Sequence, residues 1–358
     1  MKLMFYINTI AHGGAERVIV NLATQLSERG HECILVTSFI TPEFEYKYGE
    51  KVQRIAMTER RILNPLKRNI KYIFTLRKAI KSYQPDSLIA FMPEANFRSL
   101  VATFGLKTKT IISIRSNPSW EYKTILNKLL AKTLYRIADG IVFQTEEARQ
   151  WFPKKIRNRS TIIINQVDKL FYETKYSGER HDIVVTGRLI APKNHSMLIR
   201  AYMSISDKVS DRLLIYGEGK LQKVLEQQIS SYHLENKIQL MGTTDDVPNA
   251  IKSAKLFVLS SDFEGMPNAL MEAMALGLPC ISTDCPCGGP RILFGEDLKD
   301  CLVPVNNKLA MATKIQELLA DEEKRDKIAR LCRQQAMLFR PEVIITRWED
   351  YIRKIVNK

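Results

Sequence analysis

The sequence lacks long apolar runs. None of its 358 residues falls in a stretch approaching the roughly 18 consecutive apolar residues that a membrane-spanning helix requires. The first segment, MKLMFYINTIAHGG, has one lysine and too short an apolar run for a secretory signal, and it is typical of a buried first strand. The sequence therefore predicts a chain that stays in the cytosol.

Cysteine pairs with metal spacing are also missing. Six cysteines are present, but none forms a C-x-x-C set, and Cys285-Pro-Cys287 is too short and too isolated to indicate a metal. Reduced, mostly buried thiols are favoured instead. The dinucleotide fingerprint G-x-G-x-x-G and an Asp-x-Asp pair suited to a divalent cation are absent as well.

Acidic residues are scarce in the first half of the chain. Met1–Asn165 holds 27 Lys/Arg against 13 Asp/Glu, whereas residues 166–358 hold 27 against 26. Nearly all of the net charge of +15 therefore lies in the first half. Such an asymmetry indicates contact with a polyanion or an anionic membrane surface.

Strand-like apolar runs alternate with amphipathic helical stretches, which is the pattern of parallel α/β architecture. The alternation restarts at HDIVVTGRL, after the polar stretch 166–180. We therefore predict two doubly wound, Rossmann-like domains that face each other across a central cleft, over residues 1–165 and 166–340. Residues 341–358 are predicted to form a terminal helix that returns to the N-terminal domain. The strands predicted in the first domain are Lys2–Asn8, Glu32–Thr37, Ser87–Phe91, Thr110–Ile114, Gly140–Phe143 and Thr161–Ile164.

Two glutamates flank a Gly-Met-Pro-Asn turn in the stretch SSDFEGMPNALMEAMALG. Glu264 is predicted to lie in the loop after a buried strand, and Glu272 one turn into the helix that begins near Pro267. Carboxylates accept hydrogen bonds from hydroxyl groups, and a helix N-terminus offers N–H donors between them. A solvated acidic face fits Glu272 poorly because its neighbours are apolar, so we favour a ligand site.

Two further loops follow predicted strands. Gly13-Gly14 permits positive φ and a close approach of backbone N–H groups to a phosphate or hydroxyl, although a lone glycine pair is better explained by a simple strand–helix turn. Arg188 and Lys193 are two cations that could clamp a diphosphate, but surface cations without a special role are common. His31 and His195 are best explained as structural residues.

At this point the motifs resemble a known family. SSDFEGMPNALMEAMALGLP is similar to the E-x7-E segment of the retaining family 4 glycosyltransferases, which adopt the two-Rossmann-domain GT-B fold. The stretches GGAERVIVNLATQLSERGHE, TGRLIAPKNHSMLI, YGEGKLQKVLEQQI, VFQTEEARQWFP and INQVD extend the resemblance over nearly the whole chain.

The resemblance implies roles for individual residues. Glu264 would hold hydroxyls of the transferred sugar, Glu272 would hold the ribose hydroxyls, and Arg188 and Lys193 would neutralise the leaving diphosphate as the catalytic cations. The other implied donor-binding positions are Gly13, Gly14, Gly242, Gly265, Met266, Pro267, Asn268 and Ala269. The implied reaction is retaining transfer of a hexose or N-acetylhexosamine from a nucleotide sugar, with UDP the commonest carrier, by front-face attack and without a metal or cofactor.

The acceptor side of the first domain is less defined. Many relatives have a histidine after the fourth strand, where this chain reads SIRSNPSW. The candidates here are His12, Glu94, Arg115 and Asn117. The implied acceptor is a glycan or a polyprenyl-diphosphate-linked glycan of bacterial surface polysaccharide, such as lipopolysaccharide or capsule.

A basic helix is predicted over Arg60–Lys81, which has eight Lys/Arg and no acidic residue. Its apolar residues are assigned to one face that packs on the sheet, and its cations suggest peripheral contact with an anionic membrane on the inner face of the cell membrane. The apolar residues are Leu66, Ile70, Ile73, Leu76, Ile80 and Tyr83.

Three alternatives stay open. A sugar-nucleotide epimerase shares the fold and would need no acceptor. A basic membrane- or nucleic-acid-binding protein without catalysis would explain the charge, but no aromatic–basic interleaving is present and no nucleic acid is expected. A catalytically silent partner subunit is disfavoured by the intact set of two cations and two glutamates.

Overall fold

The computed structural model describes residues 1–11, 13–41 and 44–358, and the chain forms two compact units. The first unit contains Met1–Asn165 and Glu342–Lys358, and the second contains Gln166–Pro341. Each unit is built on a parallel sheet, so the predicted pair of doubly wound α/β domains is confirmed.

The first unit has seven parallel strands within the described ranges, in the order β3-β2-β1-β4-β5-β6-β7. The strands are β1 Lys2–Ile7, β2 Glu32–Thr37, β3 Val52–Ala56, β4 Ser87–Phe91, β5 Lys109–Ser113, β6 Gly140–Phe143 and β7 Ser160–Ile162. Its helices are α1 Gly14–Glu28, α2 Pro65–Tyr83, α3 Pro93–Thr103, α4 Pro118–Glu121, α5 Ile125–Leu134, α6 Glu146–Gln150, α7 Lys154–Arg157 and the C-terminal α16 Pro341–Val356.

The strands of this sheet are apolar on both faces because helices cover both. Met4 and Tyr6 of β1 pack in a core cluster with Leu76 and Ile80 of α2 and with the α3 residue Ala95. Local sequence signals set the helix ends. At the start of α2, the Asn64 side chain accepts hydrogen bonds from two backbone N–H groups of the first turn, and Pro65 is the first helical residue.

The second unit repeats the plan with six strands among the described residues, in the order β10-β9-β8-β11-β12-β13. The strands are β8 His181–Thr186, β9 Leu213–Tyr216, β10 Ile238–Gly242, β11 Ala254–Leu259, β12 Cys280–Thr283 and β13 Leu302–Val303. The helices are α8 Leu170–Glu173, α9 His195–Met203, α10 Gln222–Ser231, α11 Val247–Ile251, α12 Asn268–Ala275, α13 Gly289–Phe294, α14 Lys308–Ala320 and α15 Glu322–Ala336. Parallel strands place all loops that follow them at one edge of the sheet.

Two strands were not predicted from the sequence, and both lie at sheet edges. Val52–Ala56 (β3) is only partly buried and carries Gln53 and Arg54, so it lacks the apolar run of the central strands. Leu302–Val303 (β13) is two residues long. An edge strand is covered less than a central one, and its sequence signal is correspondingly weak.

The prediction for the apolar face of α2 was wrong at Leu66 and Ile70. These side chains are 71% and 49% exposed, whereas Tyr72, Leu76 and Ile80 are buried. The apolar residues of α2 spread over an arc wider than its neighbours cover, so periodicity alone could not identify the buried part. Among the residues that the structure describes, no helix is long and apolar enough to cross a membrane.

Candidate functional site

Lys193 and Glu264 form the polar centre of the second unit. The Nζ atom of Lys193 lies 2.5 Å from Oε1 of Glu264, and their side chains keep only 20% and 12% exposure. The Ser261 hydroxyl donates to the same carboxylate oxygen at 2.7 Å. This arrangement holds a cation and a carboxylate side by side at the carboxyl edge of the sheet.

A second set of contacts joins the loops that carry this pair. The N–H of Asp262 donates to the Pro192 carbonyl at 2.8 Å, and the Asn194 side chain donates to the Asp262 carboxylate at 2.8 Å. Asn194 also caps α9. The loops after β8 and β11 are therefore fixed to each other, and the sequence reasoning missed Asp262, Asn194 and Ser261 as positioning residues.

The turn after Glu264 is packed against the loop that follows β12. The N–H of Glu264 donates to the Pro286 carbonyl at 3.1 Å, and its carbonyl accepts from the N–H of Cys287 at 3.2 Å. A Cβ atom on Gly289 would lie 2.1 Å from the Gly265 carbonyl oxygen. Only glycine fits at position 289 without displacing the turn, and the GGP triplet was the available sequence signal.

α12 begins immediately after this turn. Asn268 is its first residue and Ala269 its second, while Met266 and Pro267 are buried before it. Glu272 lies one turn into the helix, as predicted, and is only 6% exposed. A buried carboxylate at this place is unusual for a surface helix.

Arg188 lies in the loop after β8 and is exposed. A Cβ atom on Gly217 would lie 2.1 Å from the Gly187 carbonyl oxygen, and one on Gly219 would lie 2.4 Å from that of Leu189. The glycines of the GEG triplet thus allow the loops after β8 and β9 to touch.

Gly242, the last residue of β10, lies beside these two loops. Its φ of +69° is in the left-handed region that favours glycine, and its carbonyl accepts from the N–H of Gly217 at 2.7 Å. The three loops after β8, β9 and β10 are therefore linked by backbone contacts.

In the first unit, the predicted glycines begin α1. Gly13 precedes the helix with a φ of 171°, which is ordinary extended backbone, and Gly14 is the first helical residue. The carboxylate of Glu16 fills the space beside Gly13, since a Cβ atom on that glycine would lie 2.0 Å from one of its oxygens. The φ of Gly13 does not require glycine, and a Cβ atom there would only have to displace the end of the flexible Glu16 side chain. His12 lies outside the described residues.

Glu94 belongs to a hydrogen-bonded network at the carboxyl edge of the first sheet. Its carboxylate accepts from Arg98 at 2.8 Å and from the Asn8 side chain at 3.2 Å. Arg98 is buried and also donates to Asn8 at 2.6 Å and to Asn69. The arginine therefore orients Glu94, whose side chain is half exposed. Sequence reasoning missed Arg98 because it lies on the buried side of α3.

Arg115 follows β5 and is buried. Its guanidinium donates to the Asn165 side chain, to which Gln144 also donates at 2.7 Å, and it lies 4.5 Å from the centre of the Phe91 ring. Burial lowers the pKa of Arg115 to about 9, so it stays charged at neutral pH. Asn117 uses its side-chain oxygen to cap α4.

Family models match both units. The model described as "Glycosyltransferase Family 4" matches residues 12–169, and the model described as "Glycosyl transferases group 1" matches residues 167–335. An uncharacterized glycosyltransferase of Methanocaldococcus jannaschii is 30% identical over 273 residues, which cover 68% of this chain and 67% of that protein. The chain belongs to the family 4 glycosyltransferases.

Two further comparisons extend over the whole glycosyltransferase. It is 26% identical over 365 residues to the GalNAc-alpha-(1->4)-GalNAc-alpha-(1->3)-diNAcBac-PP-undecaprenol alpha-1,4-N-acetyl-D-galactosaminyltransferase of Campylobacter jejuni, with 100% of this chain and 99% of that protein covered. The crystal structure of HepE of Anabaena in complex with UDP matches with a TM-score of 0.82 and 19% identity, over 99% of this chain and 100% of that one. The similarity to the HepE structure shows that this glycosyltransferase has the same fold as HepE.

Within each unit, the predicted residues that the structure describes lie in the loops at the carboxyl edge of that unit's own sheet, or in the strand ends and helices that adjoin those loops. The second unit brings Lys193 into direct contact with Glu264. It places Arg188, Gly242 and Glu272 in neighbouring elements. The chemistry available there is a pair of opposite charges, a row of backbone N–H groups at a helix start and a buried carboxylate.

Proposed function

We propose that this glycosyltransferase transfers a hexose or N-acetylhexosamine, with retention, from a UDP-sugar to a glycan or polyprenyl-diphosphate-linked glycan of bacterial surface polysaccharide. The contact between Lys193 and Glu264 carries the donor part of the proposal. The undecaprenol-linked substrate in the name of the Campylobacter jejuni relative and the UDP in the HepE crystal support the acceptor and donor classes.

On the donor side, Lys193 exchanges partners when the nucleotide sugar binds. The ammonium group leaves Glu264 for the diphosphate, and the carboxylate of Glu264 is then free to accept hydrogen bonds from sugar hydroxyls. The hydroxyl of Ser261 keeps the carboxylate oriented during this exchange. Arg188, exposed in the adjacent loop, supplies a second cation. The two cations stabilise the negative charge that develops on the leaving diphosphate, in place of a metal.

Glu272 binds the ribose hydroxyls in this proposal. Its burial inside α12 favours a fixed carboxylate that accepts two hydrogen bonds from a vicinal diol. The backbone of Gly265–Ala269, at the start of the same helix, offers N–H donors for the sugar and phosphate oxygens. Gly242 borders the base in this proposal.

The acceptor belongs to the first unit. Glu94, held by Arg98, and the buried cation of Arg115 are the groups that orient an acceptor hydroxyl and its diphosphate, with Asn117 and His12 as further candidates. The cations of Arg60–Lys81 contact an anionic membrane on its inner face, where a lipid-linked acceptor would be available. No nucleic acid is expected as a partner.

The donor site is tested by a thermal-shift and hydrolysis screen of UDP-, GDP- and ADP-sugars with EDTA present. At a donor concentration of about 100 times the Kd, binding adds about 2.7 kcal/mol, so we expect one nucleotide series to raise Tm by roughly 5–10 °C. Glu272→Ala should lose this shift. Glu226→Ala, which removes an exposed glutamate from the middle of α10, is the matched control and should keep it. A full response of Glu272→Ala contradicts the ribose assignment, and a response that EDTA abolishes contradicts metal independence.

A further inference from the structure

The helix α5 leaves almost all of its surface uncovered. Of its ten described residues, Ala131 alone is buried. Ile125, Leu126 and Leu129 are 85%, 64% and 59% exposed. A ten-residue helix is marginal in water unless its apolar face packs against something. The chain supplies no cover for this face among its described residues.

The apolar surface continues beyond both ends of α5. Trp120, in the short helix before it, is 45% exposed, and Ile137, in the turn after it, is 47% exposed. Exposed apolar groups occur singly on most protein surfaces, but a contiguous set marks an interaction site. We call the following residues the α5 patch: Trp120, Ile125, Leu126, Leu129, Leu130 and Ile137.

The segment that carries most of the α5 patch has positive charges and no negative ones. Residues 122–138 contain no Asp or Glu. The cations of this segment are Lys123, Lys128, Lys132 and Arg136. The Nζ atom of Lys123 lies 3.9 Å from the centre of the Trp120 ring. Tryptophan and lysine both combine an apolar body with a polar or charged tip, which suits the boundary between lipid chains and headgroups.

The outer side of α2 extends the same layer. Phe97 of α3 packs against Tyr135 at the end of α5, with ring centres 5.2 Å apart, and Arg77 of α2 donates to the Phe104 carbonyl at the end of α3. The three helices are therefore neighbours on one face of the sheet. The exposed apolar residues of α2 and its preceding loop are Leu63, Leu66, Ile70 and Phe74.

We propose that the α5 patch inserts into the interface of an anionic bilayer, with its lysines on the lipid phosphates and α2 beside it. This inference rests on the membrane contact in the proposed function. It adds a helix, α5, that inserts apolar side chains into the bilayer, whereas the cations of α2 are only attracted to its surface. A second copy of the chain is a poor occupant, since a two-fold contact would bring the cations of two α5 segments together.

Vesicle flotation tests the proposal on the full-length protein. The probe is phosphatidylcholine vesicles with or without phosphatidylglycerol. We expect flotation with the anionic vesicles, and a loss of about tenfold or more in bound fraction for the triple variant Ile125→Ser, Leu126→Ser, Leu129→Ser. The matched control carries Val224→Ser, Leu309→Ser and Leu338→Ser, which remove three apolar side chains that are more than half exposed elsewhere, and should float like the wild type.

Trp120 supplies an independent readout of insertion. In a Trp151→Phe background the remaining tryptophan besides Trp120 is Trp348, which is buried, so a blue shift on anionic vesicles reports Trp120. Flotation of the triple variant equal to wild type, or unchanged Trp120 emission, would overturn the proposal. So would light scattering that shows a vesicle-free dimer broken by the triple variant.

The donor-induced rise in Tm separates this inference from the proposed function. The triple variant should keep that rise, since α5 carries no donor contact. A donor response without flotation refutes the α5 proposal alone. Flotation without any donor response refutes the glycosyl-transfer proposal alone.

Discussion

Glu121 is a buried carboxyl group at the carboxyl edge of the first sheet. Both of its oxygens are shielded from solvent. Burial raises the pKa of Glu121 to about 7 from the usual 4.5, and the nearby Ser116 hydroxyl offsets this only in part. The folded chain therefore holds a proton on Glu121 at a pH where the unfolded chain has lost it.

This proton makes stability depend on pH in a defined direction. Because the folded-state pKa is raised, the contribution of Glu121 is present below about pH 4.5 and is lost as pH rises through 7. We expect the free energy of unfolding of Glu121→Gln, relative to wild type, to rise by roughly 3 kcal/mol between pH 4.5 and pH 8. All three tryptophans lie in the first unit, so urea unfolding followed by tryptophan fluorescence measures it there.

His195 lies in the second unit and is the reason to compare the variant with wild type wherever the two units unfold together. Burial lowers the pKa of His195 to about 4, so its contribution is present above pH 6.5 and is lost as pH falls through 4. That change has the opposite sign in nearly the same pH range. Subtracting the wild-type curve removes it, and a flat difference curve would show that Glu121 titrates normally.

Residues with a chemical motif were the ones that the sequence could identify. Lys193 and Glu264 follow recognisable strands and lie in contact, as a shared ligand site requires. Asp262 and Asn194 were missed because the contact between them spans 68 positions, which no local pattern records. Arg98 was missed because the partners that bury it, Asn8 and Asn69, lie 90 and 29 positions away. The roles that the resemblance assigns to Glu264 and Glu272 stay predictions.

At the scale of elements, the turn between β11 and α12 depends on Gly289, the first residue of α13. A Cβ atom at position 289 would lie 2.1 Å from the Gly265 carbonyl oxygen and 2.9 Å from the Pro267 ring. Overpacking of this kind costs about 1–3 kcal/mol, which either lowers stability or displaces the turn. We expect Gly289→Ala to weaken donor binding about tenfold, measured by titration calorimetry with the UDP-sugar.

Gly277→Ala is the matched control for this prediction. Gly277 follows the same helix and has a φ of +72°, but the nearest side-chain atoms would lie 3.8 Å from its Cβ. Strain at positive φ should cost about 1 kcal/mol of stability without moving the turn. Equal loss of donor affinity in both variants would mean that general destabilisation, and not the turn, explains the effect.

Central elements were predicted better than peripheral ones for a physical reason. β4 and β6 were predicted with the bounds that the structure gives, because strands covered on both faces are continuously apolar. β3 was missed because an edge strand needs less apolar cover. In α2 the apolar residues were numerous enough for two exposed ones, Leu66 and Ile70, to be assigned to the buried face.

At the scale of the whole molecule, the last helix belongs to the first unit although it follows the second in sequence. Ile352 of α16 is fully buried, and Trp348 stacks on Phe91 of β4 at 5.7 Å between ring centres. The Tyr351 hydroxyl accepts from the N–H of Ile141 at 2.9 Å. The first unit is thus closed by residues that lie 210 positions or more from the strands that they cover.

Because α16 packs in the first unit, a destabilising substitution in α16 should lower the stability of that unit. Ile352→Ala removes a buried side chain and should lower the free energy of unfolding of the first unit by about 2–5 kcal/mol, measured in urea by tryptophan fluorescence. Leu338→Ala, at an exposed position close by in sequence, should change it little. Hydrogen exchange should then quicken in β1, β4 and β6 of Ile352→Ala and stay unchanged in β8 and β11. Equal loss of protection in both sheets would mean that α16 stabilises the chain as one cooperative body, because damage confined to the first unit would leave the second sheet protected.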